Sequence, residues 1–145
     1  MYAMVFVKAT EFSETGHFPE PWTSQMMEAM DKFNQELIDA GIMEAGEGLA
    51  ASSKGARVYF DGDKRTVVDG PFAETKELIA GFWIWKCKSK QEAVDWVKRC
   101  PNPTGDEAEI EIRQIFEAED FGAEFTPELR EQEERLRAKI ENPKK

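Results

Sequence analysis

Four ionisable side chains crowd into one short stretch, Asp69-Gly70-Pro71-Phe72-Ala73-Glu74-Thr75-Lys76-Glu77. A carboxylate such as Asp69 can serve as a general base or anchor a polar ligand, and Lys76 can act as a charge partner or proton donor. Glu74 and Lys76 together can orient a small polar substrate. Gly70 frees the backbone, while Pro71 fixes φ near −65° and keeps Gly70 out of the helical region. The charged groups therefore hang on a stiff loop, and rigid loops on a scaffold are where function concentrates. Each residue also has a plainer reading. Asp69 can be a turn-former whose carboxylate accepts backbone N–H bonds. Glu74 and Lys76 sit two apart, point away from each other in extended chain, and can be solvated loop charges.

Two residues outside the loop join the candidate set. Glu47, in Glu44-Ala45-Gly46-Glu47-Gly48-Leu49, follows a glycine and is placed to line the same cleft, or simply to be exposed. His17 is the one histidine, and its unperturbed pKa lies nearest neutrality, so it is the natural acid–base candidate. Without a placed partner it also reads as a surface histidine. The residues thus give Asp69 and His17 as catalytic candidates, Glu47, Glu74 and Lys76 as ligand-binding candidates, and no metal ligands. Trp83 and Trp85 can stack on a ligand ring or pack in a core or dimer interface.

The elements that must position these groups are legible in outline. Residues 2–8 alternate, with Ala3, Val5 and Val7 on one side and Met4, Phe6 and Lys8 on the other, and read as a central strand. Residues 9–23 read as a loop held open by Pro19 and Pro21. A helix is expected from Thr23 or Ser24, with Met27, Met30, Phe33 and Leu37 on one stripe and Gly41 ending it. Residues 42–50 read as a strand weakened by its glycines. Arg57–Phe60 and Arg65–Val68 flank Asp61-Gly62-Asp63-Lys64, whose Asp-Gly is a hairpin signal. Gly81–Cys87 is the most hydrophobic strand, with Trp83, Trp85 and Cys87 on one face. Ser89-Lys90-Gln91-Glu92 is a capping box opening a helix that Pro101 stops, with Ala93, Trp96, Val97 and Cys100 on one stripe. Residues 102–107 read as a loop, Glu109–Arg113 as a half-exposed strand, and residues 127–141 as a short helix with Pro127 in its first turn.

This order is β-α-β-β-α-β, an α+β fold of the ferredoxin-like kind with an antiparallel sheet and two helices on one face. Two helices cannot cover both faces, and the other face carries apolar side chains. A second copy packed sheet to sheet is the economical cover, so a two-fold homodimer is expected. The expected organisation is one domain over 1–117 and an acidic extension with a short helix over 118–145.

Composition excludes several function classes. The net charge is −10, from 19 Lys+Arg against 29 Asp+Glu, which argues against a nucleic-acid partner. The longest apolar run, Leu78–Trp85, falls far short of the roughly 20 residues needed to span a bilayer, and Met1–Lys8 reads as a strand, not a signal peptide. Cys87 and Cys100 lack metal-ligand spacing and read as free thiols in a reducing cytoplasm. There is no Gly-rich phosphate loop, no nucleophile elbow and no dinucleotide fingerprint, so no tightly bound cofactor is expected.

The chain resembles the YCII-related proteins, in particular the branch with an Asp-Gly-Pro-Phe motif (DGPF). The resemblance rests on Val67–Glu77 with Gly81-Phe82-Trp83 after it, on Glu92-Ala93 and Arg99-Cys100-Pro101, and on Met1–Lys8, Phe33-Asn34 and Glu47-Gly48-Leu49 upstream. Glu109–Phe116 and Thr126-Pro127-Glu128-Leu129 extend it into the tail. It implies a dimeric α+β barrel with a cleft near the motif and an unassigned biochemical role. It also implies, for some members, a regulatory partner among extracytoplasmic-function sigma factors. Relatives in the wider family pair a His with an Asp in the cleft, whereas His17 lies in a loop outside the pattern of this branch. The two functional expectations are a small-molecule-binding barrel with modest acid–base chemistry at Asp69, and a non-catalytic regulatory protein using its acidic tail.

Overall fold

A computed structural model of the chain describes residues 1–102 and 107–143. The loop expected over 102–107 lies mostly outside the described residues. The chain divides into two compact units, Met1–Gln114 and Ile115–Lys145.

The first unit is built on β1 (Tyr2–Lys8), β2 (Met43–Gly48), β5 (Ile79–Lys86) and β6 (Ile110–Gln114), in the order β2-β5-β1-β6. Every adjacent pair is antiparallel. Helices α2 (Trp22–Asp39) and α3 (Lys90–Lys98) supply the two crossovers, giving the β-α-β-β-α-β ferredoxin-like order. Between β2 and β5 the chain makes a separate two-stranded sheet, β3 (Ala56–Asp61) with β4 (Lys64–Asp69). Gly62 takes φ +59° at the tip of that hairpin while Asp63 stays at negative φ. The tip residues are therefore Gly62-Asp63, the middle pair of the four-residue connection, closed by the Asp61–Lys64 pair.

The core lies on one face of the four-stranded sheet. Val5, Trp83 and Trp85 pack against Phe33 and Leu37 of α2 and Ala93 of α3. The period of two in β1 and β5 puts these residues on one side, as the alternation required. Phe33 meets both indoles edge-on, at 5.9 and 6.3 Å between ring centroids. Gly46 on β2 faces Trp83, and a Cβ there would come within 2.7 Å of the indole. The glycine that weakened the strand in sequence is thus what admits the indole. Met4, Phe6, Phe82 and Ile84 occupy the opposite face, outside the core cluster, and are partly exposed.

The structure corrects four local expectations. The segment 9–23 is not all loop: Glu11–Thr15 forms a one-turn helix, α1, because Thr10 and Ser13 cap each other and Gly16 closes it at φ +75°. The prolines lie beyond its end and do not prevent it. Helix α2 begins at Trp22 with no side-chain cap, so neither Thr23 nor Ser24 caps it. Met27 is 65% exposed and does not extend the α2 stripe. At α3, Ser89 accepts from the Glu92 amide as expected, but the Glu92 carboxylate accepts from the Lys88 N–H and not from Ser89.

The second unit holds α4 (Pro127–Glu141), capped by Thr126, whose hydroxyl accepts from the Leu129 N–H. Phe116, Phe121 and Phe125 stack in series at 5.1 and 5.0 Å. Arg130 donates to the Ala118 carbonyl at 3.1 Å and sits over Phe125, tying the helix to the segment before it.

Candidate functional site

The motif loop leaves β4 at Asp69 and folds back on the turn at Ser52–Lys54. Gly70 makes this possible, since a Cβ on it would overlap the Ser52 carbonyl oxygen. The Gly70 N–H donates to the Gly55 carbonyl at 3.0 Å, and the Phe72 N–H donates to Ser52 Oγ at 3.0 Å. Ser52 is itself gripped by α1. Its N–H donates to Glu14 Oε2 at 2.8 Å, and its hydroxyl donates to Glu14 Oε1 in a very short bond. The Arg57 guanidinium lies 3.9 Å from the centre of the Phe72 ring and holds it from the other side. Glu14, Ser52 and Phe72 thus join three segments that are remote in sequence.

Two neighbouring cavities of about 460 Å³ each flank this latch and share Leu49, Ala50, Ala51 and Lys54. One is walled by Phe72, Leu78 and Ile79, with Glu14, Ser52 and Glu77 as its polar groups. The other runs along β1 and α1, past Val7, Lys8, Thr10, Ser13 and Phe18. Mostly apolar walls with a few convergent polar groups, at this size, are the usual make-up of a small-molecule pocket. A third, smaller cavity of about 270 Å³ lies beside Trp83, whose indole N–H donates to Asn34 Oδ1 at 2.8 Å.

Ionised groups around the β1 cavity are partly committed. Lys8 Nζ lies 3.2 Å from Glu111, which also holds Arg113 at 3.3 Å. Hydrogen bonds from Lys8 first, and from Arg113 second, hold the Glu111 carboxyl below the usual range. Glu14 spends both oxygens on Ser52. Lys54 is exposed and makes no ion pair among the described residues.

Asp69, Glu74 and Lys76 are exposed on the motif loop, and none of them lines either of the larger cavities. The Asp69 carboxylate accepts no backbone hydrogen bond among the described residues, so the turn-forming role belongs to Gly70 and Phe72. Glu47 lines the smaller cavity, on β2 opposite Phe82. His17 is exposed just after α1, with its backbone N–H on Thr15 Oγ1 at 3.3 Å. These five side chains are not bonded to one another. The groups that do converge, Glu14, Ser52, Lys54 and Phe72, went unremarked in sequence apart from Phe72, which the motif contains. The Ser52-Ser53 pair before Gly55 signals a turn, but nothing local couples it to a glutamate 38 positions away. Among the described residues there is no cluster of three or more metal-ligating side chains, and no helix is long and apolar enough to cross a membrane.

A solved structure of 5-chloro-2-hydroxyhydroquinone dehydrochlorinase from Burkholderia phenoliruptrix is similar at 14% identity and a TM-score of 0.46, covering 84% of this chain and 100% of that one. An uncharacterised protein of Rhizobium meliloti is 26% identical over 103 residues, which is 71% of this chain and 83% of that protein. The family model of the YCII-related domain matches residues 1–119, and the chain belongs to that family.

Proposed function

We propose that this chain, within the DGPF branch of the family, binds a small polar molecule in the cleft between the motif loop, β1 and the segment after β2. The observation that carries this reading is the Glu14–Ser52–Phe72 latch, which braces two adjoining, largely apolar cavities in which few polar groups converge. Asp69 is the ligand anchor or general base, its carboxylate free, among the described residues, of the backbone bonds that a turn-former would accept. Glu74 and Lys76, which line neither of the larger cavities, are the groups of the motif loop assigned to orient the ligand, Glu47 belongs to the smaller cavity on β2, and His17 is the remaining acid–base candidate. The working form is a cytoplasmic homodimer packed through the open sheet face, an α+β barrel in which Met4, Phe6, Phe82 and Ile84 are covered. Two free thiols suit a reducing compartment.

The test is a thermal-shift screen of small polar metabolites on the wild type, Asp69→Asn and Lys76→Ala. A ligand at about 100 times its dissociation constant adds about 2.7 kcal/mol, a rise of several degrees for a domain of this size. A hit that weakens in either variant supports the assignment. Variants that keep both fold and binding remove Asp69 and Lys76 from the site.

A second reading makes the protein a non-catalytic regulator whose partner is an extracytoplasmic-function sigma factor. The observation favouring it is the second unit, where Leu129, Leu136 and Ile140 of α4 are half-exposed or exposed amid charged residues. Truncation after Phe116 separates the possibilities. Loss of a captured sigma factor with the dimer intact supports the regulator, whereas loss of the dimer makes the tail part of the homodimer.

A further inference from the structure

We infer that the β1 side of the cleft selects an anion: a small, largely apolar molecule carrying one carboxylate or equivalent negative group. This rests on the small-molecule reading above and narrows its ligand class. The chain carries −10 overall, so its general field repels anions. Against that background, the cavity of about 460 Å³ along β1 and α1 is lined by Lys8 and Lys54 and by no carboxylate. Lys8 does have a partner in Glu111, but Glu111 is shared with Arg113, so the three groups leave a net positive charge. Lys54 has no ion pair among the described residues and lines both cavities. The adjoining cavity carries Glu14, whose two oxygens each accept one bond from Ser52, and Glu77, so the acidic groups lining the cleft lie on that side and not on the β1 side.

The rest of the wall sets the ligand's body. Val7, Phe18, Leu49, Ala50, Ala51 and Ala80 offer apolar surface. Ser13 spends its hydroxyl proton on the Thr10 carbonyl, while Thr10 Oγ1 accepts from the Ser13 N–H and keeps its own proton to donate. One free hydroxyl donor and an unpaired ammonium beside an apolar wall suit a short apolar or aromatic acid better than a sugar or an amine.

The experiment titrates three probes of one shape, phenylacetate, phenylacetamide and phenethylamine, into the full-length protein labelled for amide NMR. The expected result is phenylacetate binding up to about fivefold tighter than the amide, the upper end of what an exposed ion pair contributes, with the amine weakest. Shifts should fall on Thr10, Phe18, Ala50 and Ala51, and high salt should weaken only the acid. Lys54→Gln, a change at an exposed side chain that leaves the folded spectrum intact, should bring acid and amide within about twofold of each other. Equal binding of acid and amide at these residues overturns the inference while leaving the small-molecule cleft standing. No shift at these residues with any probe also overturns it, and the cleft itself falls only if metabolite hits map elsewhere as well.

Discussion

β5 and the β3–β4 hairpin both carry aromatic and β-branched residues and end in opposite environments. In β5, Trp85 is 0% exposed, wedged between α2 and its sheet neighbours, and Trp83 beside it satisfies its indole N–H on Asn34. In the hairpin, Val58, Tyr59, Phe60, Val67 and Val68 are all exposed, Phe60 to 73%. A lone two-stranded hairpin is only marginally stable, and this one is held at its root and tip by specific contacts in place of a core. At the root, Gly70 bonds Gly55 and Arg57 grips Phe72. At the tip, Arg65 caps the Gly62 and Lys64 carbonyls and lies 4.3 Å from the Phe60 ring. Apolar alternation thus makes a strand in both places, and only the presence of helices decides whether the strand becomes core. The motif loop belongs to the second kind of structure. Its glycine and phenylalanine are fixed by close fit to a turn, which leaves its charged side chains free.

The sharpest way to break this comparison is to truncate one aromatic from each region. Trp85→Ala should cost about 3–5 kcal/mol in urea unfolding, as expected for emptying a core indole site. Phe60→Ala in the monomer should change stability by no more than about 0.5 kcal/mol. A large, concentration-dependent loss for Phe60→Ala would mean that the hairpin is covered by a partner and is no loose appendage. Next in size, Gly70→Ala forces a methyl into the Ser52 carbonyl and should cost about 1–3 kcal/mol. Gly48→Ala, which meets open space, is the control. Equal effects would remove the close-fit account of the motif. Ser52→Ala removes the hydroxyl that bonds Glu14 Oε1 and the Phe72 N–H, leaving the backbone N–H on Glu14 Oε2, and should cost about 1–2 kcal/mol. It should also weaken ligand binding, which a change confined to the hairpin would not do.

A pH-dependent effect concerns Cys100. Burial pushes its thiol from 9.0 up to about 11. A raised folded-state pKa contributes stability that is complete below pH 9.0 and is lost as pH climbs towards about 11. Wild type should therefore lose stability across that window, and Cys100→Ser should lose less of it. Identical alkaline profiles would place the loss on other groups.

The sheet, the hairpin and α3 were legible because their signals are local: alternation, Asp61-Gly62, and Ser89 with Glu92. Helix α4 was legible from Pro127 in its first turn and from its span, whereas the Thr126 cap emerged only in the structure. Helix α1 was hidden because five residues are too few to show a helical period, and its capping pair, Thr10 with Ser13, precedes no apolar run. At the candidate site the motif loop and the freedom of Gly70 were legible, but the packing of Gly70 and Phe72 against the Ser52–Gly55 turn was not, because that turn is remote in sequence. The Glu14–Ser52 bond could not be read at all. It depends on where α1 ends relative to a turn 38 positions later, which only the folded sheet determines.

The central claim is that the latch-braced cleft, and not the exposed hairpin, receives the ligand. Amide chemical-shift mapping of the strongest thermal-shift hit on the labelled full-length chain tests it most directly. The account predicts that the largest shifts fall on Leu49–Gly55, Phe72 and Leu78–Ala80. Largest shifts on Val58–Val68 or on α4, with the cleft unmoved, would contradict it.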